Sequence, residues 1–199
     1  MKDTRKLILV AMFASLTAIG AFIRIPIPCV PFTLQFLFCA LAGLILGSKL
    51  GALSQIVYVT IGLLGVPVFT EGGGISYIFK PTFGYLIGFI VAAYIIGKIR
   101  ENVKELTFIK TIFTLLFGLF FIYLFGIAYL YIIYNLYLGQ HISFYFAFFY
   151  GFVVCIAGDL VLTVFAAYIS IKLLPVLRKS GYIDQNNSKR GVQHHERIY

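Results

Sequence analysis

Asp159 sits in the stretch "VVCIAGDLVLTVFAAY", and between Thr111 and Ile171 it is the only Asp, Glu, Lys or Arg. A carboxylate at the centre of an apolar helix costs ~2.5–3.5 kcal/mol on insertion scales, so something must offset it. Two readings are open. The carboxyl can be hydrogen-bonded across to a neighbouring helix and tie the two together. Alternatively it can face a pocket as a ligand contact, an ion site or a proton site, the default reading of an ionisable group at such depth. Gly158 favours a pocket, because a missing side chain leaves space beside the carboxylate.

The elements that must position this group are apolar and long. The chain has 199 residues, is 61% hydrophobic and 12% charged, and has a mean hydropathy of +0.97. Soluble domains lie nearer 45–50% apolar and ~25% charged. A spanning helix needs ~20 mostly apolar residues, and several blocks reach that length. No alternating segments of about ten residues suggest a membrane β-barrel. The expected fold is all-α: an integral membrane domain over residues 1–175 with six transmembrane helices, followed by a polar, disordered cytoplasmic tail over 176–199.

The spans fall at about 7–23, 32–46, 52–64, 82–97, 111–134 and 144–174. "RIPIPCVP" forbids a continuous helix between the first two, and "GSKLG" reads as a tight turn between the second and third. A Gly- and Pro-rich loop, "GVPVFTEGGGISYIFKP", follows the third. The first block is longer than a usual signal-peptide core and is read as a retained helix. Of the 16 Lys and Arg, all but Arg24 and Lys80 fall on one side of this topology. The positive-inside rule then places both termini in the cytoplasm. The net charge of +9 reflects that topology, and no nucleic-acid partner is expected.

Orientation sorts the polar groups. Arg24, Gln35, Glu71 and Lys80 lie on or near the outer face. "EGGGISY" can expose backbone N–H and C=O groups at Gly73 and Gly74 to a cavity mouth. Phe32, Phe69, Tyr77, Phe79, Phe83 and Tyr85 crowd the outer halves of the spans, and some of them could stack on a ring. The resulting picture is a dry aromatic pocket with one acceptor, Asp159, below and two cations near the rim. It suits a small amphiphile with a donor-bearing head and an acidic tail.

Catalytic machinery is not expected. The chain lacks GxxxxGK[ST] and HExxH patterns, and Asp159 has no acidic partner in a neighbouring span. Cys29, Cys39 and Cys155 form no CxxC pair and have no metal-ligand spacing, and read as small buried hydrophobes.

The stretch "VPFTLQFLFCALAGLILGSKLGALSQIVYVTIGLLGVPVFTEGGG", together with "KPTFGYLIGFIVAAYIIGKI" and Gly158–Asp159, closely resembles the BioY family. These are the biotin-binding S-components of energy-coupling factor (ECF) transporters. The resemblance covers about residues 5–175. It implies six helices with a substrate pocket near the outer face of a bacterial cell membrane and the 24–31 loop over that pocket. It also implies biotin contacts from Phe32, Thr33 and Gln35 beside those of Asp159, Lys80, Tyr85, Arg24, Gly73 and Gly74. The ureido ring of biotin offers two N–H donors to an acceptor-only carboxylate, and its valerate needs a cation or donors.

Two positions depart from the family pattern. Ala157 stands where Pro is usual, and Leu162 where a Lys usually follows the Asp. Lys80, with Arg24 second, is the expected replacement cation. The resemblance further implies a coupling membrane protein and two ATPase subunits as partners. ATP would be consumed by those partners, with no cofactor in this chain. Docking would use small residues of the first helix, Ala14 and Ala18, which permit close backbone approach. The alternatives are an S-component for another vitamin, or an ion-coupled secondary transporter using Asp159.

Overall fold

The computed structural model describes residues 2–27, 29–103 and 106–179. Its helices are α1 (Lys2–Phe22), α2 (Gln35–Leu46), α3 (Ser48–Leu63), α4 (Phe83–Asn102), α5 (Phe108–Ile132), α6 (Phe144–Phe148) and α7 (Val154–Lys179). A π-helical turn, Ile133–Tyr137, extends α5, and another, Phe149–Val153, joins α6 to α7. The fold is all-α apart from two short strands, β1 (Arg24–Ile25) and β2 (Phe32–Thr33), which pair antiparallel.

Among the described residues, four segments are long and apolar enough to cross a membrane: Thr4–Phe22, Phe83–Asn102, Phe108–Tyr137 and Phe144–Leu177. A helix suits lipid because all its backbone groups bond within the segment. The remaining two helices are shorter. With 12 residues in α2 and 16 in α3, they extend ~18 and ~24 Å at 1.5 Å per residue. That is less than the ~30 Å hydrocarbon core. Two irregular segments adjoin these helices in the chain, 24–34 after α1, apart from residue 28, and 64–82 after α3.

Both segments are tied down by backbone hydrogen bonds. Leu34 N–H donates to Gly20 O (3.2 Å) and Ile23 O (3.3 Å), which holds the hairpin on the end of α1. In the second segment Gly74 N–H donates to Gly62 O (2.7 Å), and Phe69 exchanges backbone bonds with Gly72. Phe69 is buried against Gly62, edge-on to Tyr58 at 5.5 Å and 4.5 Å from Tyr77. The segment therefore carries its own small aromatic core, and it includes a 3₁₀ turn, Ile75–Phe79, where the sequence reads as loop.

The "GSKLG" stretch differs from the expected turn. A single residue, Gly47, at φ 84°, separates α2 from α3, and helix resumes at Ser48. The reason lies on α4: Glu101 accepts from Ser48 N–H at 2.8 Å and from its hydroxyl at 2.9 Å, capping α3 from outside. At the other end of the chain α7 runs through Pro175 to Lys179, past the expected end of the membrane domain. The rest of the 176–199 segment lies outside the described residues.

The α4 helix is the centre of the bundle, packing on α2, α3 and α5. Its small residues set the distances. A Cβ on Gly88 would lie 2.7 Å from Ile122 Cα, and one on Gly97 would strike the backbone of Gly47 and Ser48. On the facing side, a Cβ on Gly43 would lie 2.8 Å from Ala93 O. Since lipid provides no hydrophobic drive between helices, such close approach is a main source of association.

Gly88→Ala tests this packing. Overpacking at that point is expected to cost about 1–3 kcal/mol. The check is thermal unfolding in detergent followed by size-exclusion chromatography, where the variant should lose its monodisperse peak at lower temperature. An unchanged midpoint would show that α4 and α5 separate freely.

Candidate functional site

At the hairpin end, the space above α2 and between α4, α5 and α7 forms an inner chamber of about 60 Å³. Its floor is polar. Asp159 on α7 accepts a hydrogen bond at Oδ2 from the Tyr123 hydroxyl on α5. Tyr123 is itself fixed edge-on by Phe152 (4.8 Å) and Tyr85 (6.4 Å). Asp159 therefore ties α5 to α7, as the first sequence reading expects, and it also lines a cavity. One phenol does not saturate a carboxylate, which has about four acceptor positions.

Tyr85, on the first turn of α4, forms a wall. Its hydroxyl donates to Gly151 O at 2.9 Å, and its ring fills the room left by Gly126. The π turn at Phe149–Val153 contains that acceptor. Gln35 and Thr33 also line the chamber, but their polar atoms are engaged. Thr33 Oγ1 donates to Gln35 Oε1 (3.1 Å), Gln35 Nε2 donates to Tyr58 OH (2.8 Å), and Tyr58 OH donates to Val68 O (3.0 Å). This chain joins the hairpin, α2, α3 and the second loop.

The Phe32 ring lies against Gly158, so close that a Cβ there would overlap it. The gap beside Asp159 expected from Gly158 is therefore filled by an aromatic ring. Cys155 also lines the chamber, its Sγ 3.7 Å from Val30 O.

Arg24 and Lys80 do not reach the chamber. They line a vestibule of about 650 Å³ above it, and the two spaces share Pro31 and Thr82. Lys80 Nζ lies 3.0 Å from Glu71 Oε2, both side chains being partly exposed, and Arg24 donates to Thr70 O. Phe79 stacks on Tyr137 at 4.7 Å on the vestibule wall.

Gly73 and Gly74 line neither space. A Cβ on Gly73 would strike Val66 O, and Gly74 takes φ 106° while bonding Gly62, so both serve the loop's path over α3. Ala14 is 4% exposed and belongs to the core, with Ala18 partly buried against it. That turns the expected docking pair towards the bundle. The reason is that α1 packs on α2 and α3 through this face. Its exposed face instead carries Leu7, Ile8, Met12 and Ile19.

Tyr123 and Thr82 are chamber residues that sequence reasoning does not name, and Tyr77 is one it names only among the aromatics of the outer halves. Tyr77 OH bridges Thr70 Oγ1 (3.0 Å) and Thr82 Oγ1 (3.1 Å), where chamber meets vestibule. The signal for Tyr123 was a phenol within the apolar run "LFFIYLFG", since a buried Tyr hydroxyl needs a partner. No group of three or more His, Cys, Asp or Glu is placed to hold a metal among the described residues.

Comparison with known proteins agrees with this architecture. The model of the BioY family matches residues 1–179. A probable biotin transporter BioY of Lysinibacillus sphaericus is 46% identical over 179 residues, covering 90% of this chain and 91% of the relative. One from Pyrococcus horikoshii is 41% identical, covering 83% and 93%. Among solved structures, the S-component for biotin from an ECF-type ABC transporter is similar at a TM-score of 0.75 and 27% identity, over 86% of this chain and 91% of that one. The chain belongs to the BioY family.

Proposed function

We propose that this multi-pass membrane protein is the biotin-binding subunit of a vitamin importer, and not an enzyme. The observation that carries the reading is a lone acceptor, Asp159, held by Tyr123 at the floor of an aromatic chamber that opens to a cationic vestibule. The ureido N–H groups of biotin lie against Asp159, and its valerate points to the vestibule. Tyr123 takes over the orienting role that Leu162, an apolar side chain, cannot fill. The chamber is small for a bicyclic head, since ligand pockets typically measure 300–1,000 Å³. Seating the head therefore requires Phe32 to withdraw from Gly158.

Lys80, with Arg24 beside it, neutralises the carboxylate, which displaces Glu71 from the ion pair. Six helical runs cross the membrane in this reading, with the α6–α7 segment counted as one and both termini in the cytoplasm. The skew of Lys and Arg supports that orientation, and a bacterial plasma membrane is the setting. A coupling membrane protein and two ATPase subunits drive transport, with ATP consumed by those partners and no cofactor in this chain. Their contact on α1 includes its exposed apolar face, with Ala18 at the edge and Ala14 supporting it from within.

Equilibrium binding of radiolabelled biotin to the purified chain in detergent tests the assignment; a label is needed because the chain has no Trp. Hydrogen bonds to a charged group are worth ~1.5–3 kcal/mol, so Asp159→Asn should weaken binding ~10- to 100-fold. Tyr123→Phe should weaken it less, by about 3- to 10-fold. No binding by the wild type would refute biotin as ligand, and excess unlabelled vitamins would then identify another. For the tail, Lys80→Met should weaken biotin by about 2- to 5-fold, the scale of an exposed ion pair, and leave the neutral biotin amide unchanged. Equal effects on acid and amide would remove Lys80 from that role. In cells, uptake should survive a protonophore while ATP is maintained and fail when the partner ATPase is inactivated; the reverse pattern would indicate ion coupling.

A further inference from the structure

The vestibule is much larger than the chamber, about 650 against 60 Å³. A free valerate would leave most of it filled with water. Its polar wall is also more than a carboxylate requires: alongside the two cations it presents an acid, Glu71, ion-paired to Lys80 and 40% exposed. That acid would repel an incoming carboxylate.

The loop does not need the ion pair. The Phe69–Gly72 bridge, the Gly74–Gly62 bond and buried Phe69 already hold it. An exposed pair contributes only ~0–1 kcal/mol, so both partners can turn to a ligand at little cost. Phe79 stacked on Tyr137 offers an apolar wall within the vestibule for a methylene arm.

From this arrangement we infer that the vestibule is a second subsite, which accepts biotin extended at its carboxyl end by amide linkage to a zwitterionic amino acid. The α-carboxylate of such a ligand lies on Lys80 and Arg24, and its α-ammonium on Glu71. One ion pair is thereby exchanged for an alternating set of opposite charges. The free acid meets Glu71 as a like charge, whereas the zwitterion meets it as a partner. This inference rests on the biotin reading of the chamber and assigns Glu71 as a specificity residue.

The experiment is competition against radiolabelled biotin on the full chain in detergent. Three competitors are used: unlabelled biotin, N-ε-biotinyl-L-lysine, and N-biotinyl-6-aminohexanoate, which has a similar arm and carboxylate but no ammonium. On wild type, the lysine conjugate should outcompete the aminohexanoate by about 2- to 5-fold, the scale of one exposed ion pair. Glu71→Gln should abolish that preference and leave biotin equal or tighter, which also reports that the variant is folded. The inference is overturned if neither conjugate competes at a thousandfold excess. It is equally overturned if the two compete alike on wild type, or if their ratio is the same in Glu71→Gln. Failure of labelled biotin to bind wild type would instead remove the chamber assignment, and this subsite with it.

Discussion

Close approach between α4 and its neighbours, at Gly84, Gly88 and Gly97, sets the dimensions of everything above it. Helices in lipid gain little from burying apolar surface against one another, so small residues and interhelical hydrogen bonds carry the association. With α5 drawn onto Gly88 and the α2–α3 junction drawn onto Gly97, the helices pack backbone to backbone through the lower bundle. The chamber and the vestibule lie at the other end, where the segments after α1 and α3 fold. The shape of the cavity follows from which residues of those segments line it.

The polar groups follow the same geometry. A carboxylate at that depth must be satisfied within the protein, and Tyr123 is the satisfying group. Tyr123 is held in turn by Tyr85 and Phe152, and Tyr85 by the Gly151 carbonyl. The Asp159 carboxylate is therefore oriented by a chain of contacts through α4, α5 and the π turn before α7. Such preorganisation lowers the ordering cost of binding.

Charge is graded along the same path. The chamber holds one acid and no cation, whereas the vestibule holds Arg24, Lys80 and Glu71. Under the proposed function, this grading orients a ligand with donors at one end and an anion at the other. The hydroxyl bridge from Thr70 through Tyr77 to Thr82 stands where the two spaces meet. It connects the second loop to the start of α4, so the loops over the chamber are part of the scaffold as well as its cover.

The sequence by itself determined the class of fold, the isolation of Asp159, the breaks at the Pro-rich and Gly-rich loops and the family. These are local properties: hydropathy over about twenty residues, a lone charge, and characteristic short strings. Phe32, Thr33, Gln35, Tyr85 and Asp159, all named from the sequence, line one chamber in the fold. Tertiary structure alone decided what each side chain faces. Tyr123 and Asp159 are 36 positions apart, and Gly151 and Tyr85 are 66 apart, so no window of sequence contains both partners. A separation of 53 positions likewise hid the Glu101 cap that turns "GSKLG" into helix. The Lys80–Glu71 pair was hidden for a different reason: nine positions separate two loop residues, and only the path of that loop brings them together. Ala14 shows the limit from the other side. A small-residue spacing states that a close approach occurs, but it does not state whether the partner is the protein's own helix or another chain.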